Sequence, residues 1–187
     1  MNLIEELRKF DGKHTAPLEK ISNELIHHKG KIPELIVFAQ HEDTKIQSAA
    51  TWLIKHLNEE SVKFSQPQTT ALINLLGNLN HWEAKLHILQ ILSNLKIPAK
   101  QYDVLHKDLR QTIQSENKML RAWAYNGLAI LADQNSELRT DVCKTLNRAQ
   151  ADSAASVRAR IRNLSKSLNG FNKSGEPIIR NQNQSTT

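Results

Sequence analysis

The chain has 187 residues, 39% of them apolar and 24% charged, with six Gly, five Pro and a formal net charge of +6. That composition belongs to soluble, helix-rich chains and excludes disordered, collagenous and all-β classes. The length fits one domain with a continuous core, and no apolar run approaches the roughly 18–20 residues that cross a bilayer.

Apolar residues recur at helical spacing almost throughout, and no stretch alternates long enough to read as a strand. The opening MNLIEELRKFDGK carries acids and lacks an apolar signal region, so neither secretion nor organelle import is expected. A short pair of helices at 3–10 and 16–28 is expected to cap the start, with residues 1–30 as its extent. Pro17, Pro33, Pro67 and Pro98 each precede an apolar-periodic run, where a proline in the first helical turn loses no hydrogen bond. Thr15 and Ser65 stand where N-caps would, and Asn80 with Glu83 makes a similar cap.

Four later segments align: IQSAATWLIKHL from Ile46, AKLHILQILSNL from Ala84, LRAWAYNGLAIL from Leu120 and VRARIRNLSKSL from Val157. Their starts are 38, 36 and 37 residues apart. With the first residue of each as position 0, position +4 reads Ala50, Ile88, Ala124, Ile161, and position +8 reads Ile54, Leu92, Leu128, Ser165. Position +11 reads Leu57, Leu95, Leu131, Leu168. These positions form a stripe about 80° wide on one helix face. Between them lie first helices near 33–41, 67–77, 99–114 and 136–149. A helix pair repeated at a fixed period near 37 residues predicts an α-solenoid, because one pair cannot bury its stripe but stacked neighbours can. The fold expected is all-α, a domain over 1–169, with 170–187 (GFNKSGEPIIRNQNQSTT) as a disordered polar tail.

The second helices resemble those of HEAT repeats, which start with an aliphatic residue and Arg, then a small residue, then leucines. VRARIRNLSKSL and LRAWAYNGLAIL carry that pattern, while Gln47 and Lys85 stand at the basic position of the other two. The likeness covers roughly residues 31–169 and implies a right-handed solenoid of about four to five hairpins. Positions +2, +5, +6 and +9 point away from the apolar stripe. In HEAT-like stacks second helices line the concave side, so the resemblance implies a groove there. Its expected lining is Trp52, Leu86, Leu89, Gln90, Tyr125, Asn126, Arg162 and Lys166. Apolar anchors with a basic end suit a protein or peptide that carries acids at one end.

Residues 1–93 hold 10 Lys/Arg and 11 Asp/Glu, whereas 94–187 hold 15 and 8. The basic half opens an alternative, nucleic-acid binding through Arg121, Arg158, Arg160 and Arg162 against phosphates. HEAT-like DNA glycosylases exist, but they place a carboxylate beside tryptophan in the groove, and none of the outward positions here is Asp or Glu. A bilin lyase, a third HEAT-like activity, has no motif in this chain. Gly-rich phosphate loops, GxSxG and paired groove carboxylates are absent, so no enzyme is expected. His27-His28 lacks companion ligands and no paired Cys motif exists, so no metal, cofactor or small-molecule substrate is indicated. Cys143, alone, reads as a small buried hydrophobe in a reducing cytoplasm. The residues that stand out are Trp123 and Gly127, four apart on one helix. Either the indole covers the glycine, or the glycine lets a neighbouring helix come close, or the stretch forms a stacking pocket for a base or cofactor.

Overall fold

The computed structural model describes residues 2–167, and the expected tail at 170–187 and the stripe residue Leu168 lie outside them. Among the described residues every element is helical. The start forms α1 (Leu3–Arg8) and α2 (Ala16–His27). Four hairpins follow: α3 (Ile32–Phe38) with α4 (Thr44–Glu59), α5 (Gln66–Asn78) with α6 (Trp82–Ile91), α7 (Tyr102–Thr112) with α8 (Lys118–Gln134), and α9 (Arg139–Ala149) with α10 (Ala155–Ser167). The second helices stack in chain order, α4 on α6, α6 on α8 and α8 on α10. The first helices form the other layer, with α3 against α5 and α5 against α7, and α1 and α2 both close the stack against α4.

The stripe explains this stacking. Ile46, Ala50, Ile54 and Leu57 are all buried, as are Ala84, Ile88, Leu92 and Leu95, then Leu120, Ala124, Leu128 and Leu131, and finally Val157 and Ile161. Ser165 is exposed. It departs from the aliphatic row where α10 nears its end. A single cluster of buried apolar side chains runs from Leu3 to Ile161, so each helix pair completes its core with its neighbours. Burying one Leu or Ile is worth roughly 1.5–3 kcal/mol, which makes this ridge the main source of stability.

Helix starts follow local chemistry less uniformly. Pro17, Pro33 and Pro67 sit in the first turns of α2, α3 and α5. Pro98 instead precedes a short 3-10 turn at Ala99–Gln101, and α7 begins only at Tyr102. Ser65 makes a full capping box with Gln68. Thr15 does not cap α2, because its hydroxyl donates to Glu19 at 3.0 Å. Asn80 does not cap α6 either: the cap position is His81, and the Glu83 carboxylate accepts a bond from Ser48 in the preceding repeat. Asp43 and Asn117 cap α4 and α8 through their side-chain oxygens.

Gly127 on α8 is a close-approach glycine. A Cβ there would stand 2.7 Å from Leu109 Cδ2 and 3.0 Å from Leu92 Cδ1. Leucines from α7 and from the preceding repeat therefore occupy the missing side-chain volume, and the Trp123 indole is not among the nearest atoms. Of the two packing expectations for this pair, the approaching neighbour is the one found.

Candidate functional site

A second helix in this stack touches its own first helix and the second helices on both sides, so far more than the stripe is covered. The +2 and +5 side chains of one repeat meet the next repeat directly. Ser48 Oγ donates to Glu83 Oε2 at 2.9 Å, and Thr51 Oγ1 lies 3.1 Å from His87 Nδ1. Nearer the C-terminal end of α4, Asn94 Nδ2 donates to Asn58 Oδ1 at 2.8 Å. This coverage corrects part of the expected groove. Leu89 is 0% exposed, Leu86 6% and Tyr125 8%, so all three belong to the core. Trp52, Gln90 and Asn126 are half-buried and Arg162 is exposed, while the Lys166 side chain lies outside the described ones.

What stays accessible is a strip at +6 and +10, joined by +3 on α8 and α10 only, since Ala49 and His87 at +3 are buried. On α4 it presents Trp52 stacked on His56, ring centroids 4.8 Å apart. Lys55, beside them, is tied to Glu59 at 2.9 Å. On α6 it presents Gln90, and on α8 it presents Trp123, Asn126 and Ile130, all half-buried. The Arg160 guanidinium from α10 sits 4.2 Å over the Trp123 ring, a cation held on an aromatic face. Next to this pair, Asn126, Arg160, Asn163 and Leu164 help to line a cavity of about 590 Å³ between α8 and α10. Trp123, His56 and Ile130 were not in the expected lining, whereas Asn163, at +6, lies on the face expected to point outward. Trp123 and Arg160 nonetheless share position +3 in adjacent repeats, which is the signal that pairs them.

The expected basic patch resolves into different jobs. Arg121 grips Asp152 with two bonds, Nε to Oδ2 at 2.9 Å and Nη2 to Oδ1 at 3.0 Å, and its Nη1 donates to the Ser115 and Glu116 carbonyls at 2.9 Å. Its side chain is 13% exposed. The bidentate bond holds the Asp152 carboxyl below its ordinary range and raises the guanidinium. Arg158, one repeat later, donates Nη1 to the Asp152 and Ser153 carbonyls at 2.7 and 2.9 Å. Gln47, at the same register, reaches the His41 carbonyl six residues back, as both arginines do with theirs. The residue at +1 thus ties down the turn that enters each of these second helices. Arg121 is unsuited to a phosphate, Arg158 is partly engaged, Arg160 lies on Trp123, and Arg162 is the exposed one.

Buried titratable groups are held neutral. Burial, then Lys55 and His81, push the His87 imidazole down to about 3. Burial also raises the Cys143 thiol and, with Asp152, the Tyr125 phenol. Among the described residues no three His, Cys, Asp or Glu converge as metal ligands, and no helix is long and apolar enough to cross a membrane.

Comparison with curated proteins finds no match. The profile of the HEAT repeat domain matches residues 10–168, from just after α1 through α10. Ten helices among the described residues, a period near 37 residues and a bracing side chain at +1 agree with that match, and the chain belongs to the HEAT repeat family.

Proposed function

We propose that the chain is a non-catalytic interaction module that holds a peptide or helix of a protein partner along the outward strip of its second helices. HEAT repeats generally act as protein-interaction scaffolds. The observation that carries the reading is the pair of half-exposed tryptophans on that strip, Trp52 on His56 and Trp123 beneath Arg160. Large aromatic side chains that are part-buried, already ordered and flanked by cations are the anchors protein interfaces favour. Arg160 and Arg162 at one end favour a partner with acids at the corresponding end. Phosphate-backbone binding has less to draw on, because Arg121 and Arg158 brace the chain.

The test is capture from the native cell by the full chain and by a Trp52→Ala/Trp123→Ala/Arg162→Glu variant, with helicity and melting compared. The expected result is a discrete set of proteins retained by the parent and lost by the folded variant. Equal capture by both removes the strip from consideration. Recovery of nucleic acid that weakens in proportion to log salt supports the other reading instead.

A further inference from the structure

One edge of the solenoid carries a cavity of about 660 Å³ between the segment that joins α4 to α5 and the segment that joins α6 to α7. Phe64, Tyr102 and Ile97 supply apolar wall, and Gln66, Thr69 and Asn94 supply polar wall. Lys63 and Lys96 also line it, and no acidic residue does. Both lysines are exposed, and neither has an ion-pair partner among the described residues. The size falls in the range of pockets that enclose small organic ligands, roughly 300–1,000 Å³.

The walls are fixed from behind. Gln134 Nε2 donates to the Leu95 carbonyl at 3.0 Å, the Ile97 amide donates to Gln134 Oε1 at 2.9 Å, and the Tyr102 hydroxyl donates to the Gln134 carbonyl at 3.0 Å. Asn94 is tied to Asn58, and the Ser65–Gln68 capping box sets the opposite wall. The same Gln134 bonds stitch this edge to the next repeat. At the same register of the preceding repeat, 36 positions earlier, stands Pro98, whose ring cannot bridge two backbone groups as Gln134 does. A slot of mixed apolar and polar lining, with two unpaired cations and no competing carboxylate, suits one kind of guest.

We propose that this edge cavity binds a small amphipathic anion, an aliphatic or aromatic body with one carboxylate or phosphate head. The body lies against Phe64, Ile97 and Tyr102, and the head meets Lys63 and Lys96. This site is separate from the second-helix strip and stands whether or not that strip holds a protein.

The test titrates the full chain with octanoate and with octyl phosphate, following backbone amide NMR shifts. Octanol and inorganic phosphate each carry one half of the chemistry and serve as controls. At least one of the two amphiphiles is expected to saturate at one site and move amides in 63–66 and 94–102. Octanol and phosphate are expected to bind at least about tenfold more weakly. Lys63→Gln/Lys96→Gln weakens the amphiphile about tenfold and leaves octanol unchanged, while Phe64→Ala weakens both. Octanol equal to both amphiphiles, phosphate alone saturating the same amides, or a lysine variant indistinguishable from the parent each overturns the proposal. So does failure of both amphiphiles to bind.

Discussion

Replacing Gly127 with alanine sets two effects of known sign against each other. Alanine is favoured over glycine inside a helix by about 1 kcal/mol. Against that, the new methyl would stand 2.7 and 3.2 Å from the two Leu109 methyls and 3.0 Å from Leu92 Cδ1. Both leucines are 0% exposed, so neither can swing into solvent. Overpacking of a filled core costs about 1–3 kcal/mol, and three short contacts to confined atoms put this site in the upper part of that range. Gly127→Ala is therefore expected to lose about 1–2 kcal/mol net, read as a lower urea midpoint with an unchanged slope. The cycle with Leu109→Ala sharpens the test. Alone, that truncation costs about 2–5 kcal/mol. In its presence two of the three short contacts are gone, so Gly127→Ala becomes neutral or stabilising, a coupling of about 2 kcal/mol. A parent protein made more stable by Gly127→Ala, or a cycle with no coupling, would refute the close-approach account.

His87 is 7% exposed and titrates near 3 in the folded chain, against 6.5 for a free imidazole. The unfolded state therefore binds the proton first, so stability is full above pH 6.5 and falls as pH drops toward 3. Between pH 7 and 5 the loss from this group is about 2 kcal/mol, and His87→Gln should remove that part of the slope in urea titrations at the two pH values. An identical slope in the variant would assign it to other groups. Ser61 closes α4 in a left-handed conformation at φ 65°, with the Val62 amide bonded back to the Leu57 carbonyl. Ser61→Gly should raise stability by about 0.5–1 kcal/mol, since relief of backbone strain exceeds the extra chain entropy. A lowered urea midpoint would contradict that balance.

The buried stripe could be read from one chain because it obeys two periods at once, 3.6 residues within a helix and about 37 between helices. A residue such as Ile88 or Leu128 satisfies both. The free face could not be read the same way. Amphipathicity locates one buried arc, but a second helix is also covered by its neighbours, and Thr51 against His87 shows that +5 of one repeat lies on +3 of the next. Leu89 looked outward on its own helix and is core in the stack. The caps show a smaller form of the same limit: Asn80 has the right chemistry, yet α6 starts one residue further on. The edge cavity left no periodic trace, since loops at 60–66 and 94–102 build it and Gln134, a whole repeat away, holds it.

The rows of the repeat also separate what makes the fold from what can make the function. Rows 0, +4 and +8 are almost wholly aliphatic, and at row +1 Gln47, Arg121 and Arg158 all reach the carbonyl six residues back. These rows carry the resemblance to HEAT repeats, and any member that keeps them will stack. Rows +3 and +6 behave differently. They read Ala49, His87, Trp123, Arg160 and Trp52, Gln90, Asn126, Asn163; the first row is buried at Ala49 and His87 and reaches the surface at Trp123 and Arg160, and the second shares only amides. A surface whose side chains change from one repeat to the next presents a directional series of contacts, aromatic at α4 and cationic at α10. A partner matched to that order can bind in one polarity and register, which the uniform aliphatic rows could never specify.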